Sequence, residues 1–241
     1  MTITLNTNKT LQVNRLLALD VLRGCAIVLM VLFHFAYDLT VFGYAQYDTN
    51  ADIEWRVFRA IIVSAFLLAV GMSSYVAYYS RLNKQKLALS TAKLVAVSAL
   101  ISLSSYYMYP NNWVYFGIIH FIAVALPLSV LFLHRPRFSI LLAVAFLLGY
   151  FSDIVKLNVI WQWTVVNWGI PKHTVDLVSF IPWFALVLLG SVAMHYRLLP
   201  QLKPNKTARG LAFLGRHSLL IYLLHQPLLF SAFYLVQWLL K

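Results

Sequence analysis

Arg23 and His34 stand eleven residues apart inside one long apolar segment, LLALDVLRGCAIVLMVLFHFAYDL, which has little reason to carry an arginine, a histidine and two aspartates. At about 100° per residue an offset of eleven returns to within roughly 20° of its starting azimuth, so both side chains share one helix face, roughly 16 Å apart along the axis. Asp20 precedes Arg23 by three residues and Asp38 follows His34 by four, which puts both near that face. Ionisable groups in a bilayer cost several kcal/mol each, so this stripe is expected to face protein or a water-filled cavity and to act there.

The element that must carry the stripe is a membrane span. The chain has 241 residues, 61% of them apolar and 11% charged, and its mean hydropathy is +0.77. Too little polar surface remains to cover a soluble globule. Apolar stretches of spanning length run over 16–42, 55–79, 87–109, 114–134, 177–196 and 211–240, with a shorter one at 138–151. The expected fold is all-α, a polytopic integral membrane helical bundle of about seven transmembrane helices, forming a single domain over 1–241.

Charge sets the orientation. With the N-terminus in the cytoplasm, fourteen of the nineteen Lys and Arg fall on or beside cytoplasmic segments, including Arg15, Arg81, Lys84, Arg135, Arg197 and Arg209; Arg56, Arg59, Lys156, Lys172 and Lys241 fall on the other side. The net charge of +12 is then topology and attraction to anionic lipid, with the bilayer as partner and no nucleic acid. Residues 1–15 read as a cytoplasmic tail and 152–176 as an outer Trp-rich loop. All seven Trp fall in the outer half of this topology, which suits an interfacial belt or a loop that covers a cavity and stacks on a sugar ring. The lone Cys25 rules out an intrachain disulfide.

Depth places the intramembrane histidines. His34 and His120 are expected roughly 6 to 7 Å outward of the bilayer centre, and His225 on its cytoplasmic side. Each could instead be an ordinary interhelical hydrogen-bonding residue. No GxxxxGK[ST], GxGxxG, HExxH, GxSxG or CxxC occurs, which leaves histidine-based chemistry in the membrane, a haem pair or a transport path.

The string RLLALDVLRGCAIVLMVLFHFAYDL resembles the opening of the heparan-alpha-glucosaminide N-acetyltransferase catalytic domain family. It also shares the Arg-to-His spacing of the membrane acyltransferases that O-acetylate bacterial polysaccharides. VYFGIIHFIAVAL, FIPWFALVLLG and LGRHSLLIYLLHQPLL continue the likeness in order over nearly the whole chain. The resemblance implies a multi-pass acyltransferase of a bacterial inner membrane. It would move an acetyl group from cytoplasmic acetyl-CoA, a cosubstrate used without metal, to an amine or hydroxyl of an amino sugar or glycan acceptor outside.

In that setting His34 is the expected base or acetylated nucleophile, Asp38 fixes its tautomer, and His120 is the second acid/base or the oxyanion donor. Asp20, Arg23, Arg216 and His225 are expected on the donor side, among basic groups suited to the CoA phosphates. Animal lysosomal members resemble this opening with Asn where His34 stands and their histidine about three turns later. Here that stretch, VFGYAQYD, holds none. The chain is also shorter than such enzymes, so a full acceptor site would call for a second copy, as a homo-oligomer, or a partner. Two rivals remain from the residues alone. One is a haem b or quinone-handling electron-transfer protein with His34 and His120 as ligands, and the other is a glycan or small-solute transporter.

Overall fold

The computed structural model describes residues 2–49, 51–152, 165–171, 174 and 176–240, with side chains from residue 16 onward. In chain order the helices are α1 (Thr2–Val41), α2 (Ile53–Tyr78), α3 (Lys84–Met108), α4 (Ile118–Val130), α5 (Pro136–Phe151), α6 (Phe180–His195), α7 (Lys206–Arg216) and α8 (Ser218–Leu239). Among the described residues there is no strand, only a lone parallel bridge between Phe116 and Leu177. The apolar stretches of the sequence are thus helices. Among the described residues four helical segments are long and apolar enough to cross a bilayer: Leu16–Val41, Ile53–Tyr78, Lys84–Met108 and Ser218–Leu239.

The other three apolar helices are short, at 13 residues for α4 and 16 each for α5 and α6, and α4 and α6 fall short of their apolar stretches. At 1.5 Å per residue they reach about 20 to 24 Å, against a hydrocarbon core of about 30 Å. The shortening has local causes. Phe116 pairs with the stretch before α6, the Val178 amide bonding the Phe116 carbonyl at 3.1 Å, and α4 starts only at Ile118 behind its N-cap Gly117. In the first turn of α6 Ile181 departs from helical φ/ψ, so that the regular helix begins only beyond it.

The chain divides into two compact units, residues 1–69 with 199–241, and residues 70–198. In the first, α1 packs on α7 and α8. The sequence suggests one uninterrupted span over 211–240, but the chain turns at His217 and separates α7 from α8. Asn205 caps α7, its side chain accepting from the Ala208 amide at 2.7 Å, and the small residues Ala208, Ala212 and Gly215 form its buried face.

Two glycines make that packing close. A Cβ on Gly24 would strike the Leu211 carbonyl, and one on Gly215 would strike the Asp20 carbonyl, so the helix backbones touch. Further along, Ile27, Met30, Phe33 and Ile62 form a buried apolar cluster, with Phe33 edge-on to Trp55 and Phe58.

In the second unit α3 packs on α4, α5 on α6, and α4 on α6. Phe121, Val187 and Leu188 are fully buried there, and Ser74 and Ser129 pair through their hydroxyls at 2.8 Å. Gly71 sits against the Val187 carbonyl, another contact that admits no side chain.

Candidate functional site

The glycine contacts set how α1 and α8 face each other. Gly24 and Gly215 meet where α1 crosses α7, and ten residues beyond each come His34 and His225. Their rings meet edge to face, with centroids 4.7 Å apart. The sequence reading set His34 outward of the bilayer centre and His225 on its cytoplasmic side. The two rings instead lie side by side, because the start of α8 is held level with Gly24 rather than with the start of α1. His225 therefore stands with His34 and away from the arginines.

Asp38, one turn beyond His34, is completely buried. Its Oδ1 accepts from Gln226 Nε2 at 2.8 Å, so the group that holds the carboxylate is an amide on α8 and not the His34 ring. The next turn closes in aromatic rings: Phe42 stacks on Phe233 at 4.9 Å and meets Tyr234 edge-on at 5.0 Å, while Phe35 lies 5.5 Å from Phe233.

At the opposite end of this face Asp20 lies between two guanidinium groups, 3.7 Å from Arg23 and 3.6 Å from Arg216. Three of the residues expected at the donor end thus assemble from α1 and α7. Between them and the imidazoles lies an apolar cavity of about 190 Å³, lined by Ile27, Val28, Val31, Leu32, Leu214 and Ile221. Ile27 follows Arg23 by one turn, Val31 precedes His34 by three residues and Ile221 precedes His225 by four. The order along the interface is therefore ion cluster, apolar cavity, imidazole pair, buried carboxylate and aromatic cap.

His120 belongs to the second unit, near the start of α4. Its Nδ1 accepts from the Gly117 amide at 3.3 Å and its Nε2 lies 2.8 Å from Ser102 Oγ. Ser102 spends its own proton on the Val114 carbonyl at 2.8 Å, so it takes a proton from Nε2, and both ring nitrogens are engaged. Asp176 completes this corner by accepting from the Ile118 amide at 3.1 Å. Such a ring holds the entry to α4 and has no lone pair left for a haem iron.

Sequence reasoning missed Gln226, Ser102 and Asp176. For Gln226 a signal existed: a glutamine beside a histidine in an apolar span needs a polar partner. Ser102 and Asp176 carried no comparable signal. Of the outer Trp-rich segment, Trp161 and Trp163 lie outside the described residues, and Trp168 is largely exposed.

Long apolar helices and a polar stripe turned toward a neighbouring helix define an integral membrane protein with an internal site. The chain belongs to the family described as heparan-alpha-glucosaminide N-acetyltransferase, catalytic, whose model matches residues 15–227. No curated protein and no solved structure matches it. Membership supports a membrane transferase of acetyltransferase-like function, and the carrier and electron-transfer readings are not favoured.

Proposed function

We propose that the protein transfers an acetyl group from acetyl-CoA, entering at the cytoplasmic face, to an amine or hydroxyl of an amino sugar or glycan presented at the outer face. The observation that carries the reading is the order of groups along α1: Asp20 and Arg23 with Arg216, then the apolar cavity, then His34 against His225. Phosphates of the donor bind Arg23 and Arg216, displacing their weak contacts with Asp20. Arg23 and His34 stand about 16 Å apart along the helix, with the cavity-lining residues between them, a distance suited to the donor's thiol-bearing arm. The thioester then lies beside His34, which acts on the acceptor as base or as transient nucleophile.

In this reading the N-terminus is cytoplasmic and all seven apolar helices cross the membrane, the three short ones with thinning or deeper insertion. The aromatic cap of Phe42, Phe233 and Tyr234 lies at the outer end. The test uses purified full-length protein in vesicles, acetyl-CoA labelled in its acetyl group and glucosamine as acceptor. Label in glucosamine, lost in His34→Ala while the protein still inserts, supports the proposal. Retained transfer in His34→Ala removes His34 from the mechanism, and no transfer in the wild type removes the proposal.

A further inference from the structure

The second unit carries a cavity for which acetyl transfer has no use. It lies along α3 against Pro127 of α4, holds about 640 Å³ and runs from Lys84 to Ala99. The sequence sets its floor. Ala88, Ala92, Ala96 and Ala99 recur at intervals of four and three on one helix face, and side chains this small leave a trough where leucines would leave a ridge. Among the described helices only α4 packs along α3, and Ser98 is the one buried residue of α3, so no described element covers the trough.

Two polar groups interrupt this apolar lining, and both suit one ligand. Lys84 stands at one end, with Arg81 and Lys86 beside it in the sequence; all three are exposed, and none pairs with a carboxylate among the described residues. Residues 55–152 contain no Asp or Glu, so this end of the trough is positive with no counter-charge from its own stretch of chain. Seven residues on, about 10 Å along the axis, Thr91 Oγ1 is buried in the lining without a hydrogen-bond partner. A buried hydroxyl is almost always paired, and the core of a bilayer has no water to pair it. A cationic end, then a single hydroxyl, then bare alanines match in order the phosphate, ester carbonyl and acyl chain of a phospholipid.

We propose that the trough binds one anionic phospholipid, with its phosphate on Lys84, an ester carbonyl accepting from Thr91 and one acyl chain laid along the alanines to Ala99. Length selects this occupant over a second copy of the chain. The fifteen steps from Lys84 to Ala99 rise about 22 Å, and a bilayer about 40–45 Å thick with its headgroups gives each leaflet about 20–22 Å. A lipid of one leaflet fits that length from end to end. A helix from a second copy would follow α3 over its whole span, but beyond Ala99 the same face carries Leu103 and Tyr106, both large and exposed. In the orientation proposed above Lys84 lies at the cytoplasmic leaflet, whose surface is negative. A lipid held there binds the folded chain alone and so stabilises it by mass action.

The test uses full-length protein purified in detergent and stripped of lipid. The probes are phosphatidylglycerol, phosphatidylcholine with the same chains, and glycerol 3-phosphate, which has the phosphate and no chains. Phosphatidylglycerol should raise the melting temperature and stay on the protein as one bound lipid in native mass spectrometry, and the other two should do neither. Lys84→Gln should weaken phosphatidylglycerol binding by about 5-fold. Lys93 is exposed, half a turn round α3 from Lys84 and about 13 Å further along, so Lys93→Gln should change binding by less than about twofold. Ala92→Leu fills the trough and should abolish the thermal shift. Equal shifts from the two lipids, a shift from glycerol 3-phosphate as large as that from the lipid, equal losses in the two lysine variants, or undiminished binding in Ala92→Leu overturns the assignment. A dimer that phosphatidylglycerol leaves intact and Ala92→Leu splits overturns it as well and gives the face to a second copy. Should Ala92→Leu fail to insert, the two lysine variants decide. No acetyl transfer enters these measurements, so a protein that never transfers label leaves the lipid site standing.

Discussion

Two glycines five residues apart on α7 give a controlled test of how the site is held. A Cβ added at Gly210 meets nothing within 4 Å, whereas one added at Gly215 strikes the Asp20 carbonyl, with the Gly24 amide nitrogen only 2.9 Å away. Gly210→Ala should therefore stabilise, by about 0.5–1 kcal/mol, because alanine restricts the unfolded chain and suits a helix interior. Gly215→Ala makes the same chemical change, but both obstructing groups are backbone and neither can swing aside. The helices must part or the chain must bend, at a cost of about 1–3 kcal/mol. The gap between the two variants should then be roughly 2–4 kcal/mol. Since His34 and His225 are brought together from this crossing, a shift of about 1 Å should also lower turnover by about 100-fold. Reversible unfolding in mixed detergent, followed by acetyl transfer from labelled acetyl-CoA, reads both effects. Equal stability and equal turnover of the two alanine variants would refute the argument that backbone contact at Gly215 positions the imidazoles.

Further outcomes follow from the same geometry. Gln226→Leu strips Asp38 of its one hydrogen bond and should destabilise the protein by about 1–3 kcal/mol, with Asp38→Leu in the same background recovering much of the loss, as unfolding midpoints will show. Arg216→Gln should raise KM for acetyl-CoA several-fold with little change in kcat, and the difference from wild type should shrink as salt is added. Ser102→Ala leaves His120 without its Nε2 partner and should cost about 1 kcal/mol of stability; a loss of kcat beyond tenfold at unchanged stability would instead place His120 in the chemistry.

The helices were legible because hydropathy needs nothing beyond the chain itself: the apolar runs at 55–79 and 87–109 became α2 and α3 within a few residues. The bounds of α4 and α6 were not, and α4 is cut back by a pairing of Phe116 with residues 177 and 178, about sixty positions away. Periodicity likewise put Asp20, Arg23, His34 and Asp38 on one face. It could not say which helix that face meets, nor that Gly215 brings His225 level with His34. A depth count from helix ends assumes that spans begin at one plane, and α8 does not, because its start is fixed by contact between glycine backbones. Asp38 shows the same limit: i+4 spacing implied a partnership with His34, but a glutamine from a distant part of the chain holds the carboxylate.

The equal stretches from Gly24 to His34 and from Gly215 to His225 have a consequence for how this chain can change over time. Substitutions within either stretch alter size or polarity at one point, but inserting or deleting a single residue swings everything beyond it by about 100° and moves it by 1.5 Å. One such event between 215 and 225 would send the second imidazole out into lipid while every side chain kept its identity. In these two stretches the number of residues is therefore held more tightly than most of the residues themselves, and additions to the protein belong in the loops between its helices.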